Sequence, residues 1–214
     1  MERVLVLVRH GQSLWNRSGR FTGRQDPDLS ERGVAEAREA GRRLQALGLR
    51  LDAARTSTLI RARRTCALIL EEMGQPDLEV RVAPALDERD LGALSGLTKV
   101  EARARWGRDR VRLWRRDPDG APPGGETARQ VAARALPCLR QEILPRVGRG
   151  ERVMVVAHHD VLCALAPELD RRAEAGEAPG PAFATGVPVL YRLAPDGAVR
   201  SREVVDTPPF RRFP

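Results

Sequence analysis

Two apolar runs, each ending on a histidine, constrain this chain more than any other feature. Residues 2–8 and 152–157 are almost continuously apolar, as a strand buried on both faces of a parallel sheet reads. The first runs into Arg9-His10-Gly11 and the second into His158-His159. A helix is expected from Ser30, a suitable N-cap, to a stop at Gly48. A strand over 52–57, a helix over 58–73 and a strand over 79–83 follow. The stretch 100–114 reads as helix broken near Gly107, 118–125 as loop, and 128–147 as helix with Pro137 and Pro145 at its margins or kinking it. A short helix follows the histidines, then a Gly/Pro-rich stretch at 175–181. Residues 187–193 and 198–205 read as a hairpin across Asp196-Gly197. Strands alternating with helices predict an α/β fold with a mostly parallel sheet flanked by helices on both faces. In such sheets ligands bind beyond the C-terminal strand ends, where both histidines fall. The 214 residues suit one domain over 1–206, followed by a loose tail at 207–214.

The formal net charge is +8, from 37 basic and 29 acidic residues. Nucleic acid is nevertheless not expected as a partner. The arginines are scattered and only 4% of residues are aromatic, so there are few platforms for base stacking. Lys99 is the only lysine, and the excess of arginine reads as a coding bias. A compact ammonium kept in such a composition marks Lys99 as a candidate site residue. No apolar stretch reaches the ~20 residues a membrane span needs. Cys66, Cys138 and Cys163 form no CxxC pair, so free thiols in a reducing cytoplasm are expected.

His10 and His158, with Arg9 and Arg61 at neighbouring strand exits, would form a cationic pocket. Guanidinium forks match phosphate oxygens. A neutral imidazole there can attack phosphorus and carry it covalently, while the second imidazole and the arginines stabilise the charge. Glu88 is a candidate to pass a proton to a substrate oxygen, although spacing does not place it. No metal is expected at His158-His159-Asp160, since adjacent histidines on a strand point to opposite faces and no spaced ligand set accompanies them.

At this point the sequence resembles a known family. The run from Leu7 to Asn16, LVRHGQSLWN, is similar to the signature of the histidine phosphatase superfamily, and more narrowly to the cofactor-dependent phosphoglycerate mutases. Phe21-Thr22-Gly23, Leu29-Ser30-Glu31-Arg32-Gly33, Glu88-Arg89, the run from Gly92 to Lys99, Trp114-Arg115-Arg116, Pro122 to Thr127 and Thr185-Gly186-Val187-Pro188 fit in order. The resemblance implies a phosphoglycerate mutase-like fold. It also implies interconversion of 3- and 2-phosphoglycerate, primed by 2,3-bisphosphoglycerate and requiring no metal, in the cytoplasm.

By position, it implies His10 as nucleophile, His158, Arg9 and Arg61 around the transferring phosphoryl group, and Glu88 as general acid/base. Gly11, Gln12, Ser13, Asn16, Thr22, Gly23, Arg89, Lys99, Arg115, Arg116, His159 and Asp160 would line the site of a small phosphorylated substrate. A homo-oligomer is compatible with the family. Three departures stand out. His159-Asp160 replaces the family's Gly-Asn, Asp90-Leu91 its His-Tyr, and Arg24 a frequent Trp. They keep a phosphatase of the same superfamily, with altered substrate preference, as the alternative.

Overall fold

The computed structural model describes residues 3–171 and 183–206. The expected Gly/Pro-rich stretch at 175–181 and tail at 207–214 lie outside the described residues. Six strands form one sheet: β1 (Arg3–Arg9), β2 (Ala53–Thr56), β3 (Val80–Val82), β4 (Arg152–Ala157), β5 (Pro188–Leu193) and β6 (Val199–Val204). Their order is β3-β2-β4-β1-β5-β6. Strands β3, β2, β4 and β1 run parallel, and β5 and β6 continue the sheet antiparallel. The sheet is thus the expected mostly parallel one with a hairpin at its edge.

Strand β1 shows why a continuous apolar run was needed. Val4, Val6 and Val8 face a cluster containing Ala40, Leu44, Cys66 and Ile69, from α2 (Glu31–Ala46) and α3 (Ile60–Glu72). Leu5 and Leu7 face the opposite way, towards Val131, Ala135, Leu162 and Leu165, from α6 (Ala128–Cys138) and α8 (His159–Asp170). These five central residues of β1 have no exposed area. Alternating side chains therefore anchor a helix layer on each face. The helix start at Ser30 is as expected, with its hydroxyl accepting from the Gly33 N–H.

Three features were not legible in advance. A short helix, α1 (Leu14–Arg17), follows the first histidine, capped by Ser13 and Asn16. Single 3-10 turns at Pro84–Leu86 and Gly92–Leu94 flank Glu88. Residues 128–148 run as one helical path, with a π-turn at Leu139–Ile143 between α6 and α7 (Leu144–Gly148). The prolines bracket that wide turn, and Pro145 has no N–H to continue a regular ladder. The stretch expected as broken helix resolves into α4 (Lys99–Trp106) and α5 (Arg108–Arg116), hinged at Gly107 with φ of 80°. The histidine pair also differs from expectation. His158 is the residue preceding α8 and His159 opens that helix, so neither lies on a strand and the opposite-face argument does not apply.

Candidate active site

The ends of β1, β2 and β4 converge on a cavity of about 290 Å³. Its wall carries six cationic side chains, Arg9, Arg20, Arg61, Arg89, Lys99 and Arg115, against the carboxylates of Glu88 and Asp160. His10, Asn16, Thr22, Gly23 and His159 also line it. A space of this charge is suited to a compact polyanion.

His10 leaves β1 with its backbone N–H still bonded to the Ala157 carbonyl at 3.0 Å. Its ring is fixed by Nδ1, 2.7 Å from the Gly11 carbonyl. A carbonyl can only accept, so Nδ1 carries the proton and Nε2 keeps its lone pair. Burial, then the charges of Arg61 and Arg9, hold the imidazole pKa well below its usual value. His10 is thereby a neutral base with an available nitrogen at pH 7. The turn that aims it depends on two glycines in contact. A Cβ on Gly33 would sit 2.0 Å from the Gln12 carbonyl oxygen, and one on Gly11 2.2 Å from that of Gly33. This explains the glycine closing the Leu29–Gly33 segment.

His158 is fully buried, its ring centroid 5.0 Å from that of His10. Nε2 is bonded to Ser57 Oγ at 2.7 Å. Burial, the His10 ring, Arg61 and Arg9 lower its pKa well below normal. Its Nδ1 is buried without a partner, and so are Arg9 Nε, Arg61 Nε and Thr22 Oγ1. Buried polar atoms are rarely left unsatisfied, and these four suit a ligand that carries several oxygens. Arg61 is otherwise locked, with Nη1 donating to the Gln25 carbonyl and Nη2 to that of Gly23.

Glu88 is placed by contacts that its neighbours in sequence do not reveal. Asp87 accepts from Thr58 N–H at 2.7 Å and Thr58 O–H at 2.8 Å, tying the segment to the exit of β2. Arg134 holds the Glu88 carbonyl from α6 at 3.1 Å. Burial first, and the facing Asp160 carboxylate second, push the Glu88 pKa up to about 7. A carboxyl poised there can give or take a proton near neutrality. Arg89 is buried, whereas Glu88 keeps partial contact with solvent. Its Nε and Nη2 hold the carbonyls of Glu126, Trp114 and Gly120, and its Nη1 lies 3.9 Å from Asp160.

The structure does not bring every expected residue to the cavity. Gly11 packs on Gly33 and donates to Thr65 Oγ1, the Gln12 side chain bonds Ser30, and Ser13 caps α1. They shape the turn under His10 and do not line the cavity. Arg116 points outward from α5, one position beyond the lining Arg115. Conversely, Arg20 lines the cavity unforeseen, with its Nη1 on the Gly96 carbonyl at 2.6 Å. One arginine among many gave no signal. Thr56-Ser57 at the exit of β2 is legible in the sequence beside Arg61, but the bond from Ser57 to His158 is not.

A family model for the histidine phosphatase superfamily (branch 1) matches residues 5–179, and the chain belongs to that superfamily. Within it, the chain is 58% identical over 206 residues to a 2,3-bisphosphoglycerate-dependent phosphoglycerate mutase of Methylobacterium sp. (strain 4-46), covering 96% of this chain and 99% of the relative. A protein of the same name from Bradyrhizobium sp. (strain BTAi1 / ATCC BAA-1182) is 54% identical, covering 94% and 97%. Among solved structures, Bacillus stearothermophilus YhfR superposes with a TM-score of 0.77 at 29% identity, covering 92% and 94%. A mycobacterial glucosyl-3-phosphoglycerate phosphatase complexed with VO3 gives 0.75 at 29%, covering 94% and 97%.

Proposed function

We infer that this protein interconverts 3-phosphoglycerate and 2-phosphoglycerate through a phosphohistidine on His10, with dependence on 2,3-bisphosphoglycerate. The near-full-length identity to mutases supports the activity. The observation that carries the mechanism is the neutral, Nδ1-anchored His10 surrounded by unsatisfied donors on Arg9, Arg61 and His158. The primer, a molecule with two phosphates, fits the same cavity because Lys99, Arg20 and Arg115 line it in addition to those donors. When bound, 2,3-bisphosphoglycerate supplies the phosphoryl group that loads His10.

His10 Nε2 supplies the lone pair that attacks phosphorus. Because the Leu59 N–H already donates to Ser57 Oγ, we assign the Ser57 O–H as the donor to His158 Nε2, which leaves the proton on His158 Nδ1 to meet an equatorial oxygen. Arg9 Nε and Arg61 Nε take the others, stabilising charge as it develops. Glu88 protonates the substrate oxygen that departs and deprotonates the hydroxyl that receives the group. Arg89, Asn16, Thr22 and Gly23 border the substrate. Asp160 and His159 enclose it from the start of α8. We further take residues 1–206 to act as one domain, working on glycolytic substrates in the cytoplasm.

A second reading, hydrolysis of a phosphate monoester, draws on Asp160. A carboxylate in the wall disfavours an anionic substrate end beside it, and a structural relative with VO3 bound is described as a phosphatase. Purified protein with 3-phosphoglycerate and a trace of 2,3-bisphosphoglycerate, quenched and read for both products, separates the two. Formation of 2-phosphoglycerate with little free phosphate supports the mutase. Free phosphate without isomer overturns it.

A further inference from the structure

A second basic cavity lies away from the catalytic one and shares no residue with it. It measures about 420 Å³, between the β2–β3 edge of the sheet and the α6–α7 helical path. Arg55 and Arg81 stand side by side there, because they are register partners on β2 and β3. Arg146 and Arg149 face them across the gap, with Glu79 and Glu142 at the rim.

Arg55 is the informative residue. It lies on β2 between Ala54 and Thr56, paired with Val155 of β4 on one side and Arg81 on the other, and is only 3% exposed. Its Nε and Nη1 are buried without a hydrogen-bond partner. Glu142 Oε2 comes no closer than 3.8 Å to Nε, and that carboxylate is itself more than half exposed. A guanidinium taken out of water with two donor atoms unmet is strongly disfavoured unless an acceptor arrives. The cations around it are only partly used. Arg81 engages Glu79 through Nε, Arg146 engages Glu151 through Nε, and Arg149 engages the same carboxylate through Nη2. Their remaining terminal nitrogens make no further hydrogen bond among the described residues, although Glu79 and Glu142 lie close enough to act on Arg81 and Arg146 electrostatically. The far wall is built on the π-turn at Leu139–Ile143, which carries Gln141 and Glu142 into the cavity rim. Such turns recur at ligand sites because they displace side chains from the regular helical track.

We propose that this cavity is a second anion site, taking a phosphoryl dianion between Arg55 at its base and Arg146 and Arg149 at its mouth. Guanidinium forks approaching from a strand, a neighbouring strand and a helix end suit a tetrahedral group better than a planar carboxylate. The proposal is independent of whether the catalytic cavity runs transfer or hydrolysis.

Equilibrium dialysis of the full-length protein against inorganic phosphate tests it. The Arg146→Gln/Arg149→Gln variant is expected to bind one ion per chain fewer than the unaltered protein. That variant alters exposed or partly exposed side chains and leaves the core and the catalytic cavity untouched. Crystals soaked in tungstate provide the second readout, with one anomalous peak beside His10 and one beside Arg55. An ion count unaffected by the double variant, or tungstate peaks in the catalytic cavity alone, would overturn the proposal. A peak beside Arg55 in crystals without binding in dialysis would overturn it too.

Discussion

Glu88→Gln separates what the carboxyl costs the fold from what it does for the reaction. Burial and Asp160 raise the Glu88 pKa from the usual 4.5 to about 7. A rise of about 2.5 pH units at ~1.36 kcal/mol each amounts to about 3 kcal/mol. Partial contact of the side chain with solvent makes that an upper bound. The native state holds its proton more tightly than the unfolded state, so stability is fully present below pH 4.5 and is lost as pH rises through 7. Glutamine resembles the protonated acid and has nothing to lose. Urea unfolding at intervals from pH 4.5 to 9 should show the two proteins nearly equal at the acid end. The variant should pull ahead by up to about 3 kcal/mol at pH 8 and above, while turnover falls by at least ~100-fold for want of a proton carrier. A stability difference that stays constant with pH would refute the assigned environment of Glu88, whatever the effect on activity.

Asp160→Asn removes the charge that helps raise that pKa, so the alkaline limb of the kcat/KM profile should move to lower pH; a pH–rate series reads it, and an unmoved limb would mean that burial alone sets Glu88. Ser57→Ala leaves His158 Nε2 without its 2.7 Å partner. Steady-state kinetics should then show kcat down by ~10–100-fold with KM little changed, whereas a change confined to KM would contradict a role in orienting the imidazole.

The sheet was legible because burial on both faces leaves a strong mark. Val4 to Val8 has no polar residue to spare, and its histidine exit falls where parallel sheets place ligands. The basic partners of His10 could be named for a similar reason, since they lie directly at strand ends or one helical turn beyond. What stayed hidden depends on distant contacts. Glu88 reaches the cavity because Thr58 holds Asp87 and Arg134 holds its own carbonyl, and no local spacing encodes that. Gly11, Gln12 and Ser13 follow His10 in the signature, and what the sequence does not show is that their contacts run to Gly33, Ser30 and the cap of α1. Arg20 and Arg55 were masked by composition, because a chain rich in arginine gives no reason to single out one. Only burial and unmet donors distinguish Arg55 from its neighbours.

The central claim is that His10 carries the phosphoryl group on Nε2. Incubation with 2,3-bisphosphoglycerate labelled in its phosphates, alkaline quench and peptide mass mapping tests it directly. The account predicts an acid-labile, alkali-stable phosphate on the peptide containing His10, chased off by added 3-phosphoglycerate and absent from His10→Ala. Label on another residue, or turnover retained in His10→Ala without any phosphoenzyme, would contradict it.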